Sequence, residues 1–194
     1  MEKSQDIAGS HIAFDIPLKG TRTYIHSTNM LSQFIKRFSL EGPVKIEFRR
    51  MIHHPIYLSE DSPDHTDRAG KFSFLDGDTW KTYGIFIDES RAITGHLPDN
   101  EPEIQAASTI GDDTATCGID RPANFIDTIV ALNKVLVGRH SPGRKAIFSQ
   151  LTLDAIPKGG TVGVNLVKKL GTKIFMSDVV WNGDKIGSLT FMAV

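Results

Sequence analysis

Residues 30–38 read MLSQFIKRF, and residues 125–133 read FIDTIVALN. Both are short helical runs, and each opens the same order of elements in its half of the chain. Each is followed by a basic and apolar strand start, Lys45-Ile46-Glu47-Phe48 in one half and Lys145-Ala146-Ile147-Phe148 in the other. Each half then reaches a matching strand, IFIDESRAIT at 85–94 and VVWNGDKIGS at 179–188. The offset between halves is 95 residues at the helix, 100 at the next strand and 94 at the last, so the two copies differ in loop length. A duplicated helix-plus-sheet unit restricts the fold more than composition does. It also supplies two unlike faces that can build one site between them.

In the first run Met30, Leu31, Phe34, Ile35 and Phe38 form one apolar stripe at the helical period. Ser27, Thr28 and Asn29 offer capping oxygens ahead of it, and Gly42-Pro43 stops the chain after it. The second helix starts near Asp120-Arg121-Pro122, where a proline fits a first turn because its missing N–H has no partner there. Phe125, Ile126, Ile129, Val130, Leu132, Val135, Leu136 and Val137 cover most of its circumference, so it is expected to be buried nearly all round, with Gly138 closing it.

The remainder reads as strand: Val44–Leu58, Lys71–Leu75 and Trp80–Thr94 in the first half, and Ala146–Ile156, Val162–Leu170, Lys173–Trp181 and Lys185–Val194 in the second. Asn182-Gly183 between two apolar runs predicts a type I′ hairpin, since that turn needs positive φ at both central residues. Short connections make the last strands antiparallel neighbours. Residues 95–118 read as a linker that holds the leading strand of the second unit at 104–110, and residues 59–70 as a polar loop.

At 194 residues the chain can bury a substantial core. Twenty-two basic against 23 acidic residues, a net charge of −1, argue against a nucleic-acid footprint. Cys117 is the single cysteine, which excludes an internal disulfide and suits a reducing compartment. The start, MEKSQDIAGSHIAFDIP, lacks the apolar stretch of a signal peptide, and no run approaches the ~20 apolar residues of a membrane span, so a cytoplasmic protein is expected. His53 and His54 sit in a predicted strand and would point to opposite faces, and no cluster has metal-ligand spacing, so no metal is expected. No phosphate-binding loop or dinucleotide fingerprint is present, and no cofactor is expected.

A leading strand, one buried helix and a sheet that wraps it, given twice, resemble the hotdog fold in its tandem form, the double hotdog. That resemblance implies an α+β protein with units at 1–97 and 98–194; the rival architecture is one larger α+β sheet carrying two helices. It also implies chemistry on acyl thioesters of CoA or acyl carrier protein: dehydration of a β-hydroxyacyl group first, with thioester hydrolysis or acyl binding without catalysis as the alternatives. A further homodimer is compatible with it.

In hotdog dehydratases a histidine of one unit faces a carboxylate on the central helix of the other. A base must take the proton α to the thioester carbonyl, an acid must protonate the departing hydroxyl, and a backbone N–H at a helix start polarises the carbonyl oxygen. The run Phe125-Ile126-Asp127-Thr128 resembles that acidic helix, which makes Asp127 the candidate acid; its counterpart in the first unit is Ser32. His26, just ahead of the first helix, is the candidate base. Asn124 and Arg121 are candidate substrate-binding residues, and Arg144-Lys145 and Lys168-Lys169 could meet a pantetheine phosphate or an acidic carrier. The structural alternatives are a solvated Asp127, a strand His26 bonded to a cap, a locally satisfied Asn124 and solvated strand ends. His96, in Gly95-His96-Leu97-Pro98, fits a linker turn better than a catalytic loop, and Cys117 reads as inert packing.

Overall fold

The protein is described from a computed structural model covering residues 11–60, 67–120 and 122–194. Alternation along two central strands sets the architecture. In β3 (Val44–Phe48), Val44 and Ile46 are buried while Lys45 is exposed; in β10 (Ala146–Leu153), Leu151 and Leu153 are buried while Gln150 is exposed. The strands pair antiparallel, with Ile46 opposite Leu151 and Val44 opposite Leu153. Four apolar side chains therefore meet on one face of the pair, and the pairing joins both halves of the chain into one sheet.

Outward from that seam, one flank continues through β5 (Gly70–Asp76), β6 (Thr79–Ile87), β4 (Ile56–Glu60) and β1 (Ile12–Phe14). The other continues through β13 (Asp184–Ala193), β12 (Ile174–Trp181), β11 (Gly160–Leu170), β9 (Thr114–Ile119) and β8 (Thr109–Ile110). A separate parallel pair joins β2 (Leu18–Lys19) to β7 (His96–Leu97). The matching strands β6 and β12 each stand third from the centre in their flank, but the flanks are not copies. On the second side β11, β12 and β13 follow one another as hairpins, whereas on the first side the β5–β6 hairpin lies between β3 and β4. The Asn182-Gly183 turn is as expected: both residues have positive φ, 51° and 99°, between paired Trp181 and Asp184.

Helix α1 (Ser27–Phe38) lays its stripe on the first flank. Phe34 packs edge-on to Phe14 with ring centroids 4.9 Å apart and lies 4.8 Å from Phe72, while Phe38 meets Phe74 at 4.8 Å. Helix α3 (Pro122–His140) packs on β9 and β11 and touches α1. The two helices and both flanks share a single apolar core. No helix among the described residues is long and apolar enough to cross a membrane.

Several expectations need correction. The run Val44–Leu58 is not one strand: β3 ends at Phe48 and β4 begins at Ile56, and the loop between them contains Pro55, which lacks an N–H for a ladder and restricts the residue before it. His53 and His54 thus lie in a loop, where their Nδ1 atoms approach the Thr23 carbonyl at 3.0 Å and the Arg91 carbonyl at 3.5 Å. The strand predicted to reach Thr94 stops at Ile87, because Asp88 turns the chain by accepting from the Ser90 N–H and from Arg91. Residues 104–110 are not the leading strand of the second half. A short helix, α2 (Glu101–Ala106), takes the first three residues of that span and the two-residue β8 the last two, and β9 is the leading strand. Asp99 accepts the Glu101 N–H and Pro102 sits in the first turn, a helix start that the sequence carried. Helix α1 is capped by His26 with no side-chain bond, not by Ser27, Thr28 or Asn29, and it ends on the left-handed Ser39. Helix α3 runs through Gly138 to His140, and the left-handed glycine comes later, at Gly143. Arg121 and residues 1–10 and 61–66 lie outside the described residues, and 61–66 make up half of the expected polar loop at 59–70.

Gly187 faces Leu153 where β13 meets β10, and a Cβ there would stand 2.1 Å from the Thr152 carbonyl oxygen. Gly187→Ala is expected to lower the unfolding free energy by roughly 1–3 kcal/mol in chemical denaturation. Gly118→Ala, where nothing lies within 4 Å of the added Cβ and φ is not positive, should cost far less. Equal losses would contradict the packing described.

Candidate functional site

Asp127 and Lys134 interrupt the apolar surface of α3 seven residues apart, two helical turns and about 10 Å along one side. The segment from Lys19 to His26 runs beside that stripe in the same direction. Lys19 Nζ donates to Asp127 Oδ1 at 2.7 Å, and Lys134 Nζ lies 3.2 Å from His26 Nε2. Helix α2 and the residue before it cover both pairs. Asn100 donates to Asp127 Oδ2 at 3.1 Å, and Glu101 Oε1 accepts from Lys134 at 2.5 Å. The same Glu101 oxygen is 3.0 Å from Arg22 Nη2 and 3.3 Å from His26 Nε2. The remaining ring nitrogen, Nδ1, is 2.7 Å from the Thr28 hydroxyl.

The expected dyad is therefore not assembled. Asp127 is not solvated, but what faces its carboxylate from the other half of the chain is Lys19, not His26. Both groups are deeply placed, with side-chain exposures of 3% for Lys19 and 17% for Asp127. His26 stands two turns further along α3. Asn124 does not orient Asp127; its amide donates to Asp120 Oδ1 at 3.2 Å. Cys117 is buried, with its thiol toward the Ala107 and Gly118 carbonyls. His96 is exposed on β7. Lys168 and Lys169 are exposed strand residues, and Lys169 pairs with Asp113 at 3.8 Å. Lys19, Arg22, Asn100, Glu101 and Lys134 were not among the candidates. The one local signal for them was a second charge, Lys134, at two-turn spacing from Asp127.

Burial is the main cause that holds the His26 imidazole below its ordinary pKa, reinforced by the nearby Lys134 and Arg22 charges and opposed by Glu101. It is therefore neutral near pH 7. For Glu101, burial opposes ionisation, but the His26 hydrogen bond and the Lys134 ammonium outweigh it and hold the carboxyl at about 2. Among the described residues, no group of three or more His, Cys, Asp or Glu side chains is placed to hold a metal ion.

His26 and Lys134 line a cleft of about 170 Å³ on the seam between the halves. Its walls include Met30 of α1, Phe48 of β3, Phe148 of β10 and Met192 of β13, and Arg49, Arg50 and Lys145 also line it. Arg50 donates to the Asp67 backbone carbonyl and Lys145 lies 4.6 Å over the Tyr24 ring, so neither contact cancels a positive charge. The start of α1 forms part of the lining, and its first-turn N–H groups have no capping side chain. A second cleft, about 510 Å³, lies between the far end of α1 and the near end of α3, among Ile35, Leu40, Ile126 and Ile156. It holds Ser32 where the other helix has Asp127, and no imidazole lines it.

Comparison with solved structures establishes the hotdog fold. A proposed thioesterase II of Thermobifida fusca YX aligns with a TM-score of 0.52 at 12% identity, over 90% of this chain and 88% of its own. A tesB protein of Mycobacterium avium subspecies paratuberculosis aligns with a TM-score of 0.50 at 9% identity, over 92% of this chain and 89% of its own. No family model and no curated protein matches the sequence.

Because Lys19 is almost fully enclosed, Asp127→Asn should strand its charge and cost roughly 3 kcal/mol in denaturation. Lys19→Met with Asp127→Leu should cost less than the two single changes together; additive losses would show that the pair is not coupled. Glu101 titrates near 2 in the fold against an ordinary 4.5, so its contribution is complete above pH 4.5 and is lost as pH falls from 4.5 toward 2. The stability gap between the native protein and Glu101→Gln should close over that window, and a gap that stays constant would contradict the assignment.

Proposed function

We propose that the protein hydrolyses an acyl thioester, carried by CoA or by an acyl carrier protein, in the seam cleft. In this reading the chain is a double hotdog with units 1–97 and 98–194, and α1 and α3 are the two central helices. The observation that carries it is the lining of the cleft: apolar walls share it with an ammonium, Lys134, beside a buried neutral imidazole, His26. The acyl chain lies along Met30, Phe48, Phe148 and Met192. The phosphate-bearing carrier lies toward Arg50 and Lys145.

The roles follow from the donors present. Lys134 has three N–H groups, two of them engaged by Glu101 and His26. As water attacks the thioester carbon, negative charge grows on the carbonyl oxygen. The Lys134 N–H on His26 Nε2 turns to that oxygen, aided by the first-turn N–H groups of α1. Nε2 is thereby freed to take the proton of the attacking water. The C–S bond then breaks and the thiolate leaves with its electron pair. Thiols ionise near pH 8.5, so this leaving group needs little help from an acid.

Dehydration, which the sequence pattern favoured with His26 as base and Asp127 as acid, fits the geometry less well. A departing hydroxyl needs a proton, and the Asp127 carboxylate is engaged by Lys19 and Asn100 and is absent from the cleft lining.

The test offers saturated and 3-hydroxyacyl-CoA substrates and follows free thiol with a colorimetric reagent and enoyl product by ultraviolet absorbance. Thiol release is expected, and His26→Gln and Lys134→Met should each reduce it by about 100-fold or more. Because His26 loses its proton more readily than an ordinary imidazole, the fall of kcat/KM on acidification should have its midpoint below pH 6.5. Enoyl product without thiol would replace hydrolysis with dehydration, and no turnover of either substrate would remove the enzymatic reading.

A further inference from the structure

We infer that Glu101 is the positioning residue of the seam site, the group that holds Lys134 beside His26 in the lining of the cleft. The inference deepens the acyl-thioester reading and rests on it. One Glu101 oxygen accepts from Lys134 of α3 and from Arg22 of the segment after β2, and it lies 3.3 Å from His26 Nε2 at the start of α1, which it holds through Lys134 while the ring is neutral and directly once the ring is protonated. No residue of the helix that carries it is buried, and its anchoring side chain is the half-buried Ile104, so α2 is docked largely through this carboxylate.

Charge balance explains why a carboxylate is needed there. The groups facing His26 are Thr28 from α1, Lys134 from α3, Arg22 from the segment after β2, and Glu101 from α2. Glu101 alone of these is anionic. Without it, two cations would share a buried corner with an imidazole, and the flexible Lys134 ammonium would move away toward water. With it, the ammonium is neutralised on one side and remains available to a thioester carbonyl on the other. The residue touches neither water nor substrate in the proposed reaction; it acts through Lys134 and His26.

The test combines kinetics with the titration of the His26 ring, followed by NMR and assigned by comparison with His26→Gln. In Glu101→Gln the His26 midpoint should move to lower pH, because the one group that favours its protonated form is gone. Its kcat should fall between about 10- and 100-fold with KM little changed. Glu101→Asp keeps the charge, should recover part of both values, and stands in if the glutamine variant does not fold. A His26 midpoint that stays in place overturns the inference, whether or not the protein hydrolyses thioesters. A moved midpoint in a protein that releases no thiol upholds the hold of Glu101 on His26 and removes the hydrolase reading instead.

Discussion

The antiparallel pairing of β3 with β10 is the constraint on which the molecule depends. It sets Val44 and Ile46 of one half against Leu153 and Leu151 of the other, so two apolar faces that would otherwise end at open edges become one. Once the strands are joined, α1 and α3 must lie side by side on the shared core. The gap between the start of α1, the end of β3 and the start of β10 becomes a cleft. The site is thus a consequence of the seam, and neither half contains it alone.

The polar stripe on α3 has a matching logic. A helix apolar nearly all round can carry two charges only if something covers them, and here residues 19–26 and α2 do so. Asp127 receives a buried lysine, while Lys134 receives a carboxylate and an imidazole. The corresponding helix of the first half carries Ser32, and the cleft beside it mixes Ile35, Leu40, Ile126 and Ile156 with Gln33, Lys36, Ser39 and an exposed Lys158–Glu41 pair. The two clefts therefore present different side chains, an imidazole and an ammonium in one and Ser32 in the other.

Much of the fold was legible because it rests on local pattern. The stripe of MLSQFIKRF, the apolar girth of FIDTIVALN and the Asn182-Gly183 hairpin all act over a few residues. What escaped notice was either a small signal or a distant one. Pro55 divides what reads as one strand, and Asp99 with Pro102 starts a helix inside an apparent linker. The inverted place of the β5–β6 hairpin depends on how the sheet closes, which no short pattern records. His26 and Asp127 were legible as unusual residues in their settings. Their partners were not, because Lys19 lies 108 residues from Asp127 and His26 lies 108 residues from Lys134. Such contacts exist only after the halves have met.

In the proposed function the seam cleft takes the acyl chain with the thioester at Lys134. Photo-crosslinking tests it most directly, using a non-hydrolysable acyl-CoA thioether with a diazirine midway along the chain and reading the adducts by peptide mass spectrometry. Adducts are expected on Met30, Phe48, Phe148 or Met192, suppressed by excess unlabelled ligand. Adducts confined to Ile35, Leu40, Ile126 and Ile156, or labelling that excess ligand does not suppress, would contradict it.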